Sequence, residues 1–562
     1  MSSTPQRLGL LPAWRTWLLA RPALSSEMLI VLASVFFSLA CNGQFWRQAM
    51  AVHPGSVRLA VSLALLLIGS NAMVLGLLVW RWNAKWVLGL LLATTALATH
   101  YMDTFNVYLD ADMLRNVLAT DRKESGELLS MALLPALLGY AALPIALLCR
   151  VRVTARPLPR ALARRGMLLA ATALVTIAGA LFSFQDVSAL LRNHREVRYL
   201  ATPVNYLVAL KQSLPRAAHA PRARLPLGPD ARALPHAPGS KPRLLVLVVG
   251  ETVRAQDWGL NGYARQTTPE LAQIGVLNFP DMRACGSSTE VSLPCMFSPW
   301  GRHDYDEQRI GSHQSLLHVL DHAGIVPLWR DNQSGCKGVC DGLPTQRLDD
   351  AQVAGLCADG RCLDEILLED LPAQVRAHPG DRVVVLHQLG NHGPAYFQRY
   401  PQAQRRYRPT CDTVDLGRCS REQITNSYDN AVAYTDHFLA RTIGTLRQMD
   451  DYDTAMVYVS DHGESLGEKG LYLHGVPYAI APDEQTRVPM VMWFSPGFVQ
   501  SRQLDMACLR QRAARPTSHD NLFPSVLGLM QVRTRVYDRS RDVFADCSAA
   551  NTHSLAAATP RL

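Results

Sequence analysis

Four short stretches carry side chains that could do metal-assisted chemistry. One apolar run ends in Gly250-Glu251-Thr252. A second continues as Ser460-Asp461-His462-Gly463-Glu464-Ser465, and a third as His387-Gln388-Leu389-Gly390-Asn391-His392-Gly393-Pro394. Each alone reads as a helix cap or polar turn. Together on one edge of a sheet, carboxylates and imidazoles are the donors zinc takes when a position must stay open for a reactant. The fourth stretch, Cys285-Gly286-Ser287-Ser288-Thr289-Glu290-Val291-Ser292-Leu293-Pro294-Cys295, is small, hydroxyl-rich and closed by two cysteines. A hydroxyl at a helix N-terminus meets free N–H groups and a dipole that favours anions. Zinc coordination would make it a nucleophile at neutral pH; without the metal donors it would read as an N-cap.

The elements that must position these groups are short strands alternating with helices. Runs 244–249, 383–386, 455–459 and 488–493 are continuous and apolar, and helical patterns cover 315–323 and 427–449. This alternation predicts an α/β domain with a mainly parallel central sheet. In such sheets ligands sit beyond the carboxyl ends of the strands, where the candidate residues fall.

The first 190 residues are different. Across all 562 residues, 48% are hydrophobic and 18% charged, with a formal charge of +9; the apolar excess is concentrated at the N-terminal end. Runs at roughly 28–45, 59–80, 86–102, 128–148 and 167–184 approach the ~20 residues needed to cross a bilayer, predicting an α-helical transmembrane domain of five spans. Trp46, Trp80, Trp82 and Trp86 mark its edges. Basic residues cluster at Arg7, Arg15 and Arg21, at Arg81 and Lys85, and at Arg150, Arg152, Arg156, Arg160, Arg164 and Arg165. The opposite loops carry Asp103, Asp110, Asp112, Asp121, Glu124 and Glu127. The positive-inside rule then leaves the N-terminus in the cytoplasm and everything after residue 190 exported. Ser38-Leu39-Ala40-Cys41 has the outline of a cleavage site, but the long basic lead and four further apolar runs favour a span. The basic excess beside apolar runs suits an anionic membrane surface and argues against nucleic acid.

Of 12 cysteines, Cys41 and Cys149 lie in or beside spans and the other ten fall in the exported part. An even number there reads as disulfides of an oxidising compartment, with a cysteine-rich zinc site as the alternative. Sequence neighbours suggest Cys285–Cys295, Cys336–Cys340, Cys357–Cys362, Cys411–Cys419 and Cys508–Cys547. The expected organisation is a membrane anchor over 1–187 with a donor-binding loop at 103–127, an interfacial helix or plain connector and a Pro/Ala/Arg-rich linker over 188–241, and a catalytic domain over 242–562.

Val249-Gly250-Glu251-Thr252, Cys285-Gly-Ser-Ser-Thr289 with Pro294-Cys295, Asn391-His392-Gly-Pro394, Ser460-Asp461-His462-Gly463-Glu464-Ser465 and Leu473-His474-Gly475 occur in that order. The combination resembles the lipid A phosphoethanolamine transferases of the alkaline phosphatase/sulfatase superfamily, including those that confer colistin resistance, over nearly the whole chain. The resemblance implies that Glu251, Thr289, Asp461 and His462 hold zinc, with Thr289 also the nucleophile. His392 and His474 would contact the transferred phosphate or a second metal during turnover. Ser334 and Lys337 would hold the phosphoethanolamine group. Asn116, Thr120 and Glu124 would serve the donor pocket, and their spacing puts them on one helix face. Glu464 fits a supporting role behind the ligands. Glu290, directly after the nucleophile, is a charged departure from a position expected to be small or aromatic.

The resemblance also implies a monomer in a Gram-negative inner membrane, with its catalytic domain in the periplasm. Its donor is phosphatidylethanolamine, its acceptor a lipid A phosphate of lipopolysaccharide, and the outcome is polymyxin resistance. Core sugars and periplasmic glucans are rival acceptors, and phosphoglycerol transfer is a rival reaction in the same superfamily. A sulfatase would need a Cys or Ser in a Cys/Ser-x-Pro-x-Arg context, which Thr289 lacks. A transporter would place ionisable residues inside its spans, whereas here the polar constellation is all exported, as in an enzyme or a membrane-tethered binding protein.

Overall fold

The computed structural model describes residues 21–548 apart from 121, 218–223, 237–238 and 359. Arg7, Arg15 and Asp121 of the charge argument lie outside the described residues. The chain forms two compact units. One takes the described residues up to Thr104 together with Met131–Val208; the other takes Phe105–Ser130 together with Ala209 onward. These ranges differ from the expected ones: the 105–130 segment belongs with the catalytic unit, and the helical unit runs past 187 to 208.

Three helices of the first unit are long and apolar enough to cross a membrane: Val57–Leu78, Leu133–Arg150 and Leu158–Phe182. A fourth span results if Ser26–Ala40 and Gly43–Val52, bent by 59°, count as one. The break falls at Asn42, whose amide donates to Phe37 O at 2.7 Å and Thr202 O at 2.8 Å. The third expected span lies on the 22-residue helix Ala84–Phe105, where Thr94, Thr95, Thr99, His100 and Asp103 dilute the apolar run. By length and composition, three helices among the described residues pass as spans, or four with the bent pair, against the five expected. Val57–Leu78 packs closely on Leu158–Phe182 through glycine. A Cβ at Gly179 would stand 2.9 Å from Leu66 N, and one at Gly69 3.0 Å from Thr176 N. Small residues at such crossings let backbones approach without lipid between them.

The start of the 188–241 stretch, expected as an interfacial helix or plain connector, is helical and partly packed. Helix Phe184–Asn193 and the turn Arg195–Leu200 bury Leu190, Val197 and Leu200. The Tyr206 hydroxyl lies 2.9 Å from Thr95 Oγ1. The expected linker is also partly structured: Arg232–Ala233 pairs with Val532–Arg533.

The second unit is built on an eight-stranded sheet. Its strands are β1 (Arg243–Gly250), β2 (Leu277–Arg283), β3 (Val326–Asp331), β4 (Thr345–Arg347), β5 (Arg382–His387), β6 (Asp453–Ser460), β7 (Arg487–Phe494) and β8 (Thr517–Ser518). Their order is β8-β2-β7-β6-β1-β5-β3-β4. β1 is parallel to β5 and β6, β5 to β3, β3 to β4, and β2 to β8. β7 is antiparallel to both β6 and β2. β1, β5 and β6 are buried along their whole length, which explains why they read as unbroken apolar runs. Helix Arg421–Arg447 starts earlier than its apolar pattern because Ser420 and Gln423 form a capping box.

Parallel β1, β3, β5 and β6 send their carboxyl ends to one edge. Register puts Gly250 opposite Ser460, Val249 opposite His387, and His387 opposite Asp331. Gly390 lets the loop after β5 reach the end of β1: its φ is +53°, and a Cβ there would stand 2.7 Å from Glu251 O. Gly380 also has positive φ, +95°, but faces open space. We therefore expect Gly380→Ala to cost about 1–2 kcal/mol of backbone strain. Gly390→Ala should cost that plus about 1–3 kcal/mol of overpacking, read as the larger drop in melting temperature of the full-length protein.

Candidate active site

Because Gly250 and Ser460 pair across β1 and β6, Glu251 and Asp461-His462 leave adjacent strands at one level. Ligand atoms of Glu251, Asp461 and His462 all lie within 4.8 Å of one another, and the three side chains are fully buried. His462 Nε2 is 3.3 Å from Glu251 Oε1 and 3.5 Å from Asp461 Oδ2. Thr252 holds the carboxylates in place. Its φ of 61° is unusual for a β-branched residue; its hydroxyl donates to Glu251 Oε1 at 2.5 Å and its N–H to Asp461 Oδ1 at 3.2 Å.

Burial alone would raise the Glu251 carboxyl. The His462 hydrogen bond and charge, with His392 and His474 behind it, hold it well below the usual carboxylate range. Asp461 is pushed up to about 6, by burial first and by the Glu251 charge second. His462 is pushed up to about 10, against its burial, by the Asp461 and Glu251 carboxylates. Two buried carboxylates thus demand a positive charge. Asp461 Oδ2, buried without a hydrogen-bond partner, faces the same point. The donor set fits a zinc ion, which would supply that charge with His462 bound as neutral imidazole.

Thr289 is the first residue of helix Thr289–Met296, after extended Ser288. Its Oγ1 lies 3.1 Å from Glu251 Oε2 and 3.3 Å from His462 Nε2. The disulfide Cys285–Cys295 closes its loop. His519 ties that loop to β6: Nδ1 accepts from the Cys285 N–H at 3.0 Å and Nε2 donates to Ser460 O at 3.0 Å. Burial pushes His519 down to about 4, so it is neutral, as this bonding requires. Disulfides also join Cys336–Cys340, Cys357–Cys362, Cys411–Cys419 and Cys508–Cys547, leaving Cys41 and Cys149 free.

The remaining sequence-read residues gather around this centre in part. Lys337 Nζ donates to Ser334 Oγ at 2.9 Å and stands 3.7 Å from Glu290 Oε2, so the odd charge after Thr289 faces a cation. The His474 ring is 4.3 Å from that of His462 and 5.4 Å from that of His392. Glu464 is not one of the metal-donor group; it accepts from His474 Nδ1 at 2.8 Å and from the Tyr396 hydroxyl, orienting that imidazole. Asn116, Thr120 and Glu124 do not share one helix face, which corrects the spacing argument. The helix Ala111–Ala119 stops at Thr120, whose extended backbone and hydroxyl cap Asn116 O, and a new helix, Arg122–Leu128, follows. The side chain of Glu124 lies outside the described residues.

Several partners carried no sequence signal of their own. Gln333 Nε2 donates to Glu251 Oε2 at 3.0 Å. Asp331 and His387, buried at facing register positions, meet at 2.6 Å. Asp364 accepts the backbone N–H groups of Leu389 and Gly390 at 2.8 and 2.9 Å and shapes the loop leading to His392. From the 105–130 segment, buried Glu127 takes Arg399 at 2.8 and 3.0 Å and Arg361 at 2.8 Å. Arg399 Nε donates in turn to His392 O at 2.7 Å. His387 lay inside a stretch already singled out, Asp331 and Gln333 belong to the loop of Ser334 and Lys337, and Glu127 ends the expected donor-binding loop; Asp364, Arg361 and Arg399 are isolated polar residues.

Comparisons with known proteins cover nearly the whole chain. A family profile described as Sulfatase matches residues 243–532, and one described as Phosphoethanolamine transferase EptA/EptB matches 66–217. Phosphoethanolamine transferase EptA of Escherichia coli K12 is 37% identical over 542 residues, covering 94% of this chain and 98% of the relative. Phosphatidylethanolamine transferase Mcr-1 of Escherichia coli is 36% identical over 92% of this chain and 98% of its own length. The solved structure of the integral membrane lipooligosaccharide phosphoethanolamine transferase A from Neisseria meningitidis superposes with a TM-score of 0.90, at 38% identity, over 94% of this chain and all of that one.

Two outcomes follow from the site. Zinc at a thousand times its dissociation constant should stabilise the protein by about 4 kcal/mol. A chelator should lower the melting temperature correspondingly, and Asp461→Asn should abolish most of that difference. The Asp331–His387 pair sets a pH window. Against its burial, hydrogen bonding and charge from His387 hold Asp331 below the usual carboxylate range, and Asp331 holds His387 above the usual histidine range, also against burial. The Asp331 contribution is present above about pH 4 and lost as pH falls through its lowered pKa. The His387 contribution is present below about pH 6.5 and lost as pH rises through its raised pKa. Melting curves should therefore separate wild type from Asp331→Asn more widely at pH 5 than at pH 9.

Proposed function

We propose, for a chain that belongs to the EptA/EptB phosphoethanolamine transferase family and carries that family's sulfatase domain, that it moves phosphoethanolamine from phosphatidylethanolamine to a phosphate of lipid A. The observation that carries this reading is the Thr289 hydroxyl, 3.1 Å from a buried carboxylate of the Glu251–Asp461–His462 group. A bound zinc would lower the pKa of that hydroxyl and offset charge on the phosphoryl oxygens.

The reaction runs as two displacements. Thr289 Oγ1 gives up its proton to solvent and attacks the phosphorus. The P–O bond to diacylglycerol breaks, and diacylglycerol leaves with a proton. Lys337, steadied by Ser334, offsets charge on the equatorial oxygens, with His392 and His474 on the other side. Phosphoethanolamine then sits on Thr289 as an ester. An oxygen of the lipid A phosphate attacks it, and the Thr289 oxygen takes back a proton. Masking a lipid A phosphate with an amine lowers the negative surface charge that attracts polymyxin.

The donor-loop reading is supported by a different set of residues from those first singled out. Lys123 and Glu127 line a cavity of about 740 Å³ with Leu356, Arg361, Gln398 and Val414, whereas Asn116 and Thr120 do not line it. The chain is read as a monomer with five crossings, Ala84–Phe105 among them, an N-terminus inside the cell and residues 242–562 in the periplasm; the cysteine pairs suit that oxidising side.

Mass spectrometry of lipid A from cells expressing the protein tests the assignment. Wild type should add a phosphoethanolamine mass, and Thr289→Ala should add none. Lys337→Ala should lower transfer by about 10²–10³. Absence of the mass on lipid A, with turnover of a fluorescent phosphatidylethanolamine intact, would move the acceptor to core sugars or glucans. Transfer by Thr289→Ala at the wild-type rate would end the nucleophile assignment.

A further inference from the structure

Three chain segments of the helical unit meet at one end of its bundle. A short parallel pairing sets Ala23–Leu24 beside Arg152–Val153, with Arg152 N bonded to Pro22 O at 2.9 Å. Lys85 Nζ reaches across to Cys149 O at 3.0 Å. Together they form a cleft of about 270 Å³ lined by the cationic side chains of Arg21, Arg81, Lys85, Arg150 and Arg152, with no carboxylate among its lining residues. None of the four arginines makes a side-chain hydrogen bond or ion pair among the described residues. Nearby basic residues contrast with them: Arg156 and Arg165 are met by Glu27 at 3.1 and 3.8 Å. Five positive charges converging on one concavity, four of them guanidinium groups without a partner, form a site for a phosphate anion.

The surroundings select its carrier. Trp82 and Trp86 line the same cleft and are 75% and 84% exposed. Exposed indoles beside basic residues mark the bilayer surface. One turn into the apolar helices, Leu90 and Leu147 are 66% and 58% exposed, and they offer a path for acyl chains. The volume is slightly below the ~300–1,000 Å³ of small-ligand pockets and suits a headgroup rather than a whole lipid. We propose that this cleft binds the phosphodiester headgroup of an anionic glycerophospholipid, a site separate from the transferase centre and independent of its chemistry.

The test uses full-length protein in nanodiscs of phosphatidylethanolamine with a minor share of phosphatidylglycerol, with protein-bound lipid counted by native mass spectrometry. Wild type should retain phosphatidylglycerol enriched at least about fivefold over its share of the bilayer, the ratio one basic residue earns at an anionic surface. Arg150→Gln/Arg152→Gln should lose most of that enrichment. Arg160→Gln/Arg164→Gln removes the same charge from the first turns of the next helix, Leu158–Phe182, at residues that do not line the cleft, and should keep it. Soluble glycerol 3-phosphate should not displace the lipid. Wild type without enrichment, equal loss in both double variants, or displacement by glycerol 3-phosphate would each overturn the proposal.

Discussion

Two carboxylates buried side by side at the ends of neighbouring strands must be met by positive charge. Stripping each of water costs several kcal/mol, and the domain accepts that cost at Glu251 and Asp461. Parallel β1 and β6 fix their separation through a register that leaves no freedom at Gly250 and Ser460. The hydrogen bonds of Thr252, Gln333 and His462 then hold the oxygens toward one point.

That point faces Thr289. Its hydroxyl is carried on the first turn of a helix whose loop is closed by Cys285–Cys295 and tethered to β6 by a neutral His519. Thr289 and the candidate metal donors are thus positioned from the same strand end. Around them lies a second tier: Glu464 aims His474, Asp364 shapes the loop that carries His392, and Glu127 with Arg399 fastens that loop by its carbonyl. Glu127 comes from Phe105–Ser130, a segment that lies in sequence between helices of the first unit but belongs to the second, so the second unit is built from two separate stretches of chain.

Much of this was legible in the sequence for physical reasons. Strands buried on both faces must be apolar throughout, so β1, β5 and β6 stood out, and the polar residues that ended them were conspicuous. The hydroxyl-rich loop was marked by its two cysteines. Long-range partners were not legible. Asp364, Glu127, Arg399 and His519 gain their roles only when folding brings them to a backbone or a charge far away in sequence. The proposed face shared by Asn116, Thr120 and Glu124 failed because Thr120 caps Asn116 O and ends the helix. The membrane helices were blurred by polar side chains that find partners inside the bundle, Asn42 and Thr95 among them.

The central claim is that Thr289 carries the group between donor and acceptor. The most direct measurement is the peptide mass spectrum of full-length protein mixed with phosphatidylethanolamine, without acceptor, and quenched in acid. The account expects a phosphoethanolamine mass on the peptide containing Thr289, discharged when lipid A is added. An adduct on another residue, or transfer to lipid A with no adduct under single-turnover conditions, would contradict it.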